Sequence, residues 1–412
     1  MLLKKRLGYQ QCIGKTFPGL RKLSERYVTR CYQQGGSVTM DSKDKEQGIV
    51  VEERHPEKRT VWEEKGISRR DFMKFCTAMS AALALPVTFA PKIAQALDEV
   101  QRPTLVWLEF QDCAGNTEAL LRASNPTVSQ LILDVLSIDY HETIMAAAGH
   151  QAEESLMKAI RENKGKYIAV IEGSIPMKDG GVYCCVGGKS ALELAREVCG
   201  NAFATIAVGT CATDGGIPAA APNPTGAVGV KSAVPGATVI NLPGCPLNPD
   251  NLTATVVHFL TFGKLPNTDS QGRPLFAYGK RIHDNCERRS HFDAGQYVEQ
   301  WGDAAHRKGH CLYKMGCKGP ETFHNCPTQR YNEKTSWPVM AGHGCIGCSE
   351  ANFWDTMTPF YRRLPNVPGF GVEYTANQIG AGLAIVTAAA FAGHGIISAL
   401  KKDKDDDGKK EE

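Results

Sequence analysis

No P-loop occurs in the 412 residues, and no GxGxxG turn follows an apolar strand and opens a helix. The phosphate-cradling loops with which many α/β domains bind nucleotides are therefore missing. Isolated glycines remain at Gly115, Gly187-Gly188 and Gly215-Gly216, and alone they are weak signals for a nucleotide- or flavin-binding domain. Charge of one sign is also lacking: 47 Lys and Arg against 44 Asp and Glu leave a net +3, and no basic stripe with interleaved aromatics appears. That removes the electrostatic footprint of a nucleic-acid binder. Composition is otherwise unbiased, since 42% apolar and 22% charged residues are ordinary for a globular protein. The length allows two domains with sizeable cores.

What the chain does have is cysteine, 15 in all. An odd total in so long a chain argues against a disulfide framework, even though the export signal described below leads to an oxidising compartment. Between His283 and Cys348 one His and six Cys stand at ligand-like spacings: His283-x2-Cys286, Cys311-x5-Cys317, then Cys326 followed by Cys345-x2-Cys348. They parse as one set of four and one of three. Thiolates are soft ligands that select iron-sulfur clusters, zinc or copper(I), and seven ligands exceed the needs of one four-coordinate centre. A structural zinc site wants four N or S ligands in tight pairs, whereas the second set stops at three, with Trp337-Pro338 where another ligand could stand.

Residues 1–66 are polar, with the basic run Lys4-Lys5-Arg6, and read as a disordered leader in which Met40 is an alternative start. Residues 67–96 read as a twin-arginine signal: Ser68-Arg69-Arg70-Asp71-Phe72-Met73-Lys74, an apolar run from Phe75 to Ala90, and a small-x-small site, Ala94-Gln95-Ala96. Residues 97–250 then alternate apolar strands and helices. Strands are expected at 104–110, 167–172, 203–208 and 238–242, with helices at 119–123, 152–163 and 189–198, a pattern that predicts a parallel sheet covered on both faces. Three strand ends lead to a cysteine, Cys113, Cys211 and Cys245, and the carboxyl edge of an open sheet is where such a fold gathers its chemistry. Cys184, Cys185 and Cys199 read instead as buried free thiols.

After a helix at 251–262 the chain turns to Gly, Pro, His and aromatics around the cysteine block, and residues 251–375 read as an irregular domain for which bound clusters act as the core. Residues 376–400 contain a 22-residue stretch without formal charge, Ile379 to Leu400, followed by the charged tail 401–412. At ~1.5 Å per residue a helix of that length crosses the roughly 30 Å hydrocarbon core, so it is expected to be a membrane anchor. His394 inside it is then expected to face a protein partner.

Taken together, Asp112-Cys113 with Thr117-Glu118, Gly173-Ser174-Ile175-Pro176, Gly209-Thr210-Cys211, Asn223-Pro224-Thr225-Gly226, Pro243-Gly244-Cys245-Pro246, Gly316-Cys317-Lys318-Gly319-Pro320 and Gly344-Cys345-Ile346-Gly347-Cys348 resemble the small subunit of nickel-iron hydrogenases. The resemblance spans about Arg102 to Leu400 and is nearest the membrane-bound uptake type. It implies a flavodoxin-like domain holding a proximal [4Fe-4S] cluster on Cys113, Cys211 and Cys245, followed by an irregular iron-sulfur domain. There the distal [4Fe-4S] cluster takes His283, Cys286, Cys311 and Cys317, and the medial [3Fe-4S] cluster takes Cys326, Cys345 and Cys348. It also implies a Ni-Fe centre on a separate large subunit, a membrane cytochrome b passing electrons to quinone, and a place on the periplasmic face of the inner membrane. The sheet edge around Cys113, Glu118, Cys211 and Cys245 is expected to face the large subunit.

The sequence departs from the family pattern at three places. Gly115 and Gly216 stand where oxygen-tolerant relatives carry two additional cysteines. Asn116 stands where relatives carry the second Cys of a Cys-x-x-Cys pair. Three thiolates suffice for a second [3Fe-4S] cluster, or a [4Fe-4S] cluster takes oxygen from Asp214 or Asn116 at its fourth iron. Asp214 is favoured because a carboxylate restores the anionic charge of the lost thiolate.

Overall fold

The computed structural model describes residues 67–99, 103–123, 137–332, 334–362 and 376–407. The expected leader at 1–66 lies outside them.

Five strands form one parallel sheet: β1 (Thr104–Glu109), β2 (Ser137–His141), β3 (Ile168–Glu172), β4 (Ala204–Val208) and β5 (Val239–Leu242), in the order 2-1-3-4-5. This is the doubly wound flavodoxin-like order, whose topological switch lies between β1 and β3. Side chains alternate across it. Leu105, Trp107, Ile168, Val170, Ile206, Val208, Ile240 and Leu242 enter one core, while Val106, Leu108, Ala169, Ile171 and Ala207 enter the other. Burial on both faces explains why these strands read as continuous apolar runs. Each fully buried Ile, Val or Leu contributes about 1.5–3 kcal/mol.

Helices α4 (His150–Glu162) and α5 (Ala191–Asn201) cover the second face through Leu156, Ile160, Leu194 and Val198. Ser190 starts α5 by accepting the Glu193 N–H at 3.2 Å. Between β1 and α4 comes α3 (Gly115–Leu121), and after β4 the short α6 (Gly209–Asp214). Helix α7 (Pro249–Phe262) lies on the first face; Asn248 caps it with Pro249 at its first position, and Gly263, at φ +65°, ends it.

The expected domain start at residue 97 is not a packing boundary. Residues 67–99 fold as α1 (Arg69–Ala82) and α2 (Ala90–Glu99), and Phe72, Cys76, Met79 and Ile93 are buried in the same core as α7. The apolar run from Phe75 to Ala90 is divided between elements: α1 ends at Ala82, and Pro86, which has no N–H for the α1 ladder, lies in the turn before α2.

Between α7 and residue 362 the described chain makes only short helical turns among loops, and a third core holds Ile282, Val298, Leu312, Trp337 and Val339 together with Cys326 and Cys345. Side-chain bonds join this region to the sheet half. Asn251 and Asn325 exchange amide hydrogen bonds at 3.1 and 2.8 Å, and the Ala221 N–H donates to Asp355 at 3.0 Å. Arg273, 5% exposed, bonds Asp269 at 2.7 Å and Glu350 at 3.1 Å. The last described element is α8 (Ala376–Asp407), whose stretch Ala381–Ser398 is long and apolar enough to cross a membrane and has none of its residues buried.

Candidate metal centre

The carboxyl edge of the sheet gathers the first three cysteines. Cys113 sits in the loop after β1, Cys211 in α6 after β4, and Cys245 in the loop after β5. Their sulfurs are mutual electrostatic neighbours: burial first, then the neighbouring thiols, pushes Cys245 up to about 12, while burial above all pushes Cys211 up to about 11. Cys113 and Cys245 reach the surface, on the side expected to meet a partner. Glycines make room for these sulfurs. A Cβ on Gly115 would stand 3.1 Å from the Cys113 sulfur, and one on Gly216, where φ is +54°, would stand 2.8 Å from the Cys211 sulfur.

Cys326, Cys345 and Cys348 line one cavity of about 470 Å³, which Cys245, Gly115, His324, Trp337 and Pro338 also border. His283, Cys286, Cys311 and Cys317 line a second, smaller cavity with Arg288, Arg289 and Pro320. The two cavities thus part these seven residues as their spacing does, with Cys245 of the first set on the wall of the larger. Burial, then Arg289, pushes His283 down to about 4, which keeps its imidazole neutral and able to act as a nitrogen ligand.

The sets touch one another in series. The Cys245 backbone N–H is turned to the Cys348 sulfur, and the Cys345 N–H donates to the Cys317 sulfur at 3.3 Å. Among the described residues no three His, Cys, Asp or Glu side chains are gathered tightly enough to hold a single metal ion. Thiolates ~2.3 Å from one zinc must stand about 3.8 Å apart. Soft ligands in sets of three and four lining cavities suit polynuclear iron-sulfur clusters, whose several irons spread their ligands. Every one of these ten side chains is a soft cysteine sulfur or, at His283, a neutral imidazole; burial first, then neighbouring thiols, raises Cys286, Cys311, Cys326 and Cys345, so positive iron is what would hold these ionised.

Neither oxygen donor expected beside the first set is turned to it. Asn116, 7% exposed, accepts the Leu247 N–H at 2.8 Å through Oδ1 and donates through Nδ2 to Glu172 at 3.1 Å, so both ends of its amide are engaged. Asp214 accepts the backbone N–H groups of Asn352 and Gly216. Both residues clamp loops. The expectation of buried thiols holds for Cys199, whereas Cys184 is half-buried and Cys185 exposed, because the latter sits in a two-residue hairpin outside the sheet.

Sequence reasoning missed a set of carboxyl groups under the Cys113 loop. Glu172, fully buried at the end of β3, accepts the N–H groups of Asn116 at 2.8 Å and Thr117 at 3.0 Å, and the Trp107 ring N–H at 3.3 Å. The Thr117 hydroxyl stands 2.6 Å from Glu172 and 2.7 Å from Glu109. Burial raises Glu172 and pushes Glu142 up to about 8 and Asp112 up to about 6. The available signal was a glutamate closing the otherwise apolar run of β3.

Comparison with known proteins bears on this arrangement directly. Residues 278–361 match the C-terminal family model of the NiFe/NiFeSe hydrogenase small subunit, and residues 113–259 that of the NADH ubiquinone oxidoreductase 20 Kd subunit. The chain is 49% identical to the quinone-reactive Ni/Fe-hydrogenase small chain of Wolinella succinogenes over 351 residues, 83% of this chain and 99% of that one. The chain belongs to the small subunits of nickel-iron hydrogenases. The uptake hydrogenase small subunit of Azotobacter vinelandii is 47% identical over 83% of this small subunit and 95% of its own length. In structure it is similar to the reduced Ni-Fe-Se hydrogenase of Desulfomicrobium baculatum, with a TM-score of 0.61 and 33% identity over 64% of this chain and all of that one. The flavodoxin-like parallel sheet expected from the sequence is the fold these structures share.

Proposed function

We propose that this hydrogenase small subunit passes electrons, released when a Ni-Fe centre on a separate large subunit splits H2 into two protons and two electrons, through three iron-sulfur clusters towards a membrane acceptor. The observation that carries this reading is the serial contact between ligand sets, Cys245 to Cys348 and Cys345 to Cys317. Bound iron-sulfur clusters supply sites that accept and release one electron at a time without making or breaking bonds. The residues of this chain would hold those sites close together.

The assignment follows the sets. Cys113, Cys211 and Cys245 hold the proximal cluster with three thiolates, Cys326, Cys345 and Cys348 the medial [3Fe-4S], and His283, Cys286, Cys311 and Cys317 the distal [4Fe-4S]. Pro338 on the medial cavity wall provides no ligand where a fourth would stand. A proximal [4Fe-4S] cluster needs a fourth ligand from outside the Asn116 and Asp214 side chains as they are bonded here, or a local rearrangement that frees Asp214. The exposed edge at Cys113, Glu118 and Cys245 supports docking of the large subunit there.

Helix α8 supports anchorage, with His394 presented to a cytochrome b that reduces quinone; the Wolinella relative is itself named quinone-reactive. The twin arginines at Arg69-Arg70 are exposed at the start of α1, which supports twin-arginine export to the periplasmic face of the inner membrane; removal of residues up to 96 would then uncover the face of α7 on which α1 and α2 pack before cleavage. Iron and acid-labile sulfide analysis of the complex purified from membranes tests the cluster reading, together with paramagnetic resonance of its oxidised and reduced states. Hydrogen oxidation by the large subunit that continues to a dye at full rate after Cys348→Ser and Cys345→Ser would overturn the serial route.

A further inference from the structure

We propose that His324 is a positioning residue of the electron route: its Nδ1–H holds the Cys326 sulfur, favours the reduced state of the medial cluster and so sets that cluster's potential. The proposal rests on the reading of Cys326, Cys345 and Cys348 as the medial ligands. His324 Nδ1 is 2.9 Å from the Cys326 sulfur, and the ring is 2% exposed. Its edge meets Tyr278 at 5.0 Å and 89°, while its backbone N–H donates to the Lys280 carbonyl at 3.2 Å. The ring is therefore fixed by packing on one side and by its own backbone on the other.

The tautomer follows from the partners. Nε2 is buried with no hydrogen-bond partner among the described residues. A proton placed there would be an unsatisfied buried donor, which costs about 1–3 kcal/mol. The single proton of a neutral imidazole accordingly sits on Nδ1, facing a thiolate that can only accept. Tyr331 does not compete, because its hydroxyl is 4.0 Å from the same sulfur and 3.2 Å from the Pro246 carbonyl, to which it donates. The other two medial sulfurs take backbone donors, Gly347 N–H at 3.4 Å for Cys345 and the Cys245 N–H for Cys348. Cys345 also contacts the Thr322 hydroxyl at 3.6 Å, but that hydroxyl donates to the Lys318 carbonyl at 2.7 Å. His324 is thus the side-chain donor to this set, and the one whose removal leaves the chain path intact.

A donor on a ligating sulfur draws electron density from the iron and stabilises the reduced cluster, which carries one more negative charge. One electron arrives from the proximal side and leaves towards the distal side. His324 keeps its proton throughout, and no bond forms or breaks.

The test is a redox titration of the medial cluster in the purified heterodimer, read by the paramagnetic signal of its oxidised three-iron form, in wild type, His324→Leu and His324→Gln. At the wild-type midpoint, His324→Leu is expected to lower the reduced-to-oxidised ratio three- to tenfold; tenfold corresponds to about 59 mV for one electron. His324→Gln, which can present a carboxamide N–H, is expected to recover part of the shift. In wild type labelled with nitrogen-15 histidine, pulsed resonance of the oxidised signal is expected to show a weak histidine coupling. That measurement needs no variant to fold. A midpoint unmoved by His324→Leu, or no histidine coupling on a three-iron signal that is present, would overturn this role alone. Absence of the three-iron signal from oxidised wild type would overturn the medial assignment itself, and this role with it.

Discussion

Asn116 Oδ1 accepts a 2.8 Å hydrogen bond from the backbone N–H of Leu247, two residues beyond Cys245. The position that pattern matching treats as a missing ligand is therefore a tie between two thiolate-bearing loops. Asn116→Ala leaves the buried Leu247 N–H without its acceptor and removes a donor from Glu172, a loss of roughly 1–3 kcal/mol. Thermal unfolding of the heterodimer should show it, with proximal iron lost before medial or distal iron. Asn116→Cys gives up the same tie, so any fall in proximal potential from a fourth thiolate should come with a lower unfolding temperature.

The glycine at 344 is fixed by its neighbour. A Cβ there would meet the Cys317 Cα at 3.0 Å and its Cβ at 3.2 Å. Gly344→Ala should displace Cys317 and deplete the distal cluster while the oxidised three-iron signal persists. Iron content and reduced-state resonance spectra check this, and an unaltered distal spectrum would count against the distal assignment of Cys317.

Glu142 gives a pH dependence with a definite sign. Burial, above all, lifts its carboxyl from 4.5 to about 8. A carboxyl whose folded pKa is raised contributes stability that is fully present below its unfolded value and is lost as pH rises through the folded value. The loss therefore runs from about pH 4.5 to about pH 8. Glu142→Gln can still accept the Glu109 N–H bonded at 3.1 Å and should flatten that part of the stability profile, so that the variant gains on wild type as pH rises towards 8. Urea unfolding across that range is the measurement.

The sheet and the ligand sets were largely legible from sequence, for a physical reason. Strands buried on both faces must be apolar throughout, which made β1, β3, β4 and β5 plain. Edge strand β2 was not expected: Ser137-Ile138-Asp139-Tyr140-His141 mixes polar with apolar residues, and only Tyr140 and His141 are buried. Metal ligands repeat at short spacings, which divided His283 to Cys348 into two groups, and the same residues line two separate cavities. The Glu172 contacts were hidden because they join residues through space, across 56 positions to Asn116; the His324 contact lies only two positions from Cys326 but depends on the way the ring turns, which spacing does not give. Packing of α1 and α2 on α7 was hidden for the opposite reason, since an apolar export signal and an apolar core helix have the same composition.

Removing α8 should separate attachment from chemistry. With Ala381–Ser398 wholly unburied, truncation before Ile379 takes nothing from the described cores. The complex should leave the membrane fraction and reduce a soluble dye with H2 at wild-type rate, while quinone reduction is lost. Retention in the membrane would count against the anchor.

Cys345 and Cys348 are three residues apart, yet one is bonded towards Cys317 and the other towards Cys245. Between them Gly347 turns at φ +77°, in a spot where a Cβ would collide with Met357 at 2.7 Å. The segment works as a spacer of fixed gauge. Inserting a single residue between Ile346 and Gly347 would move both ends out of register together, so damage here should be all-or-none, whereas a lesion in either flanking loop should disable one junction and spare the other.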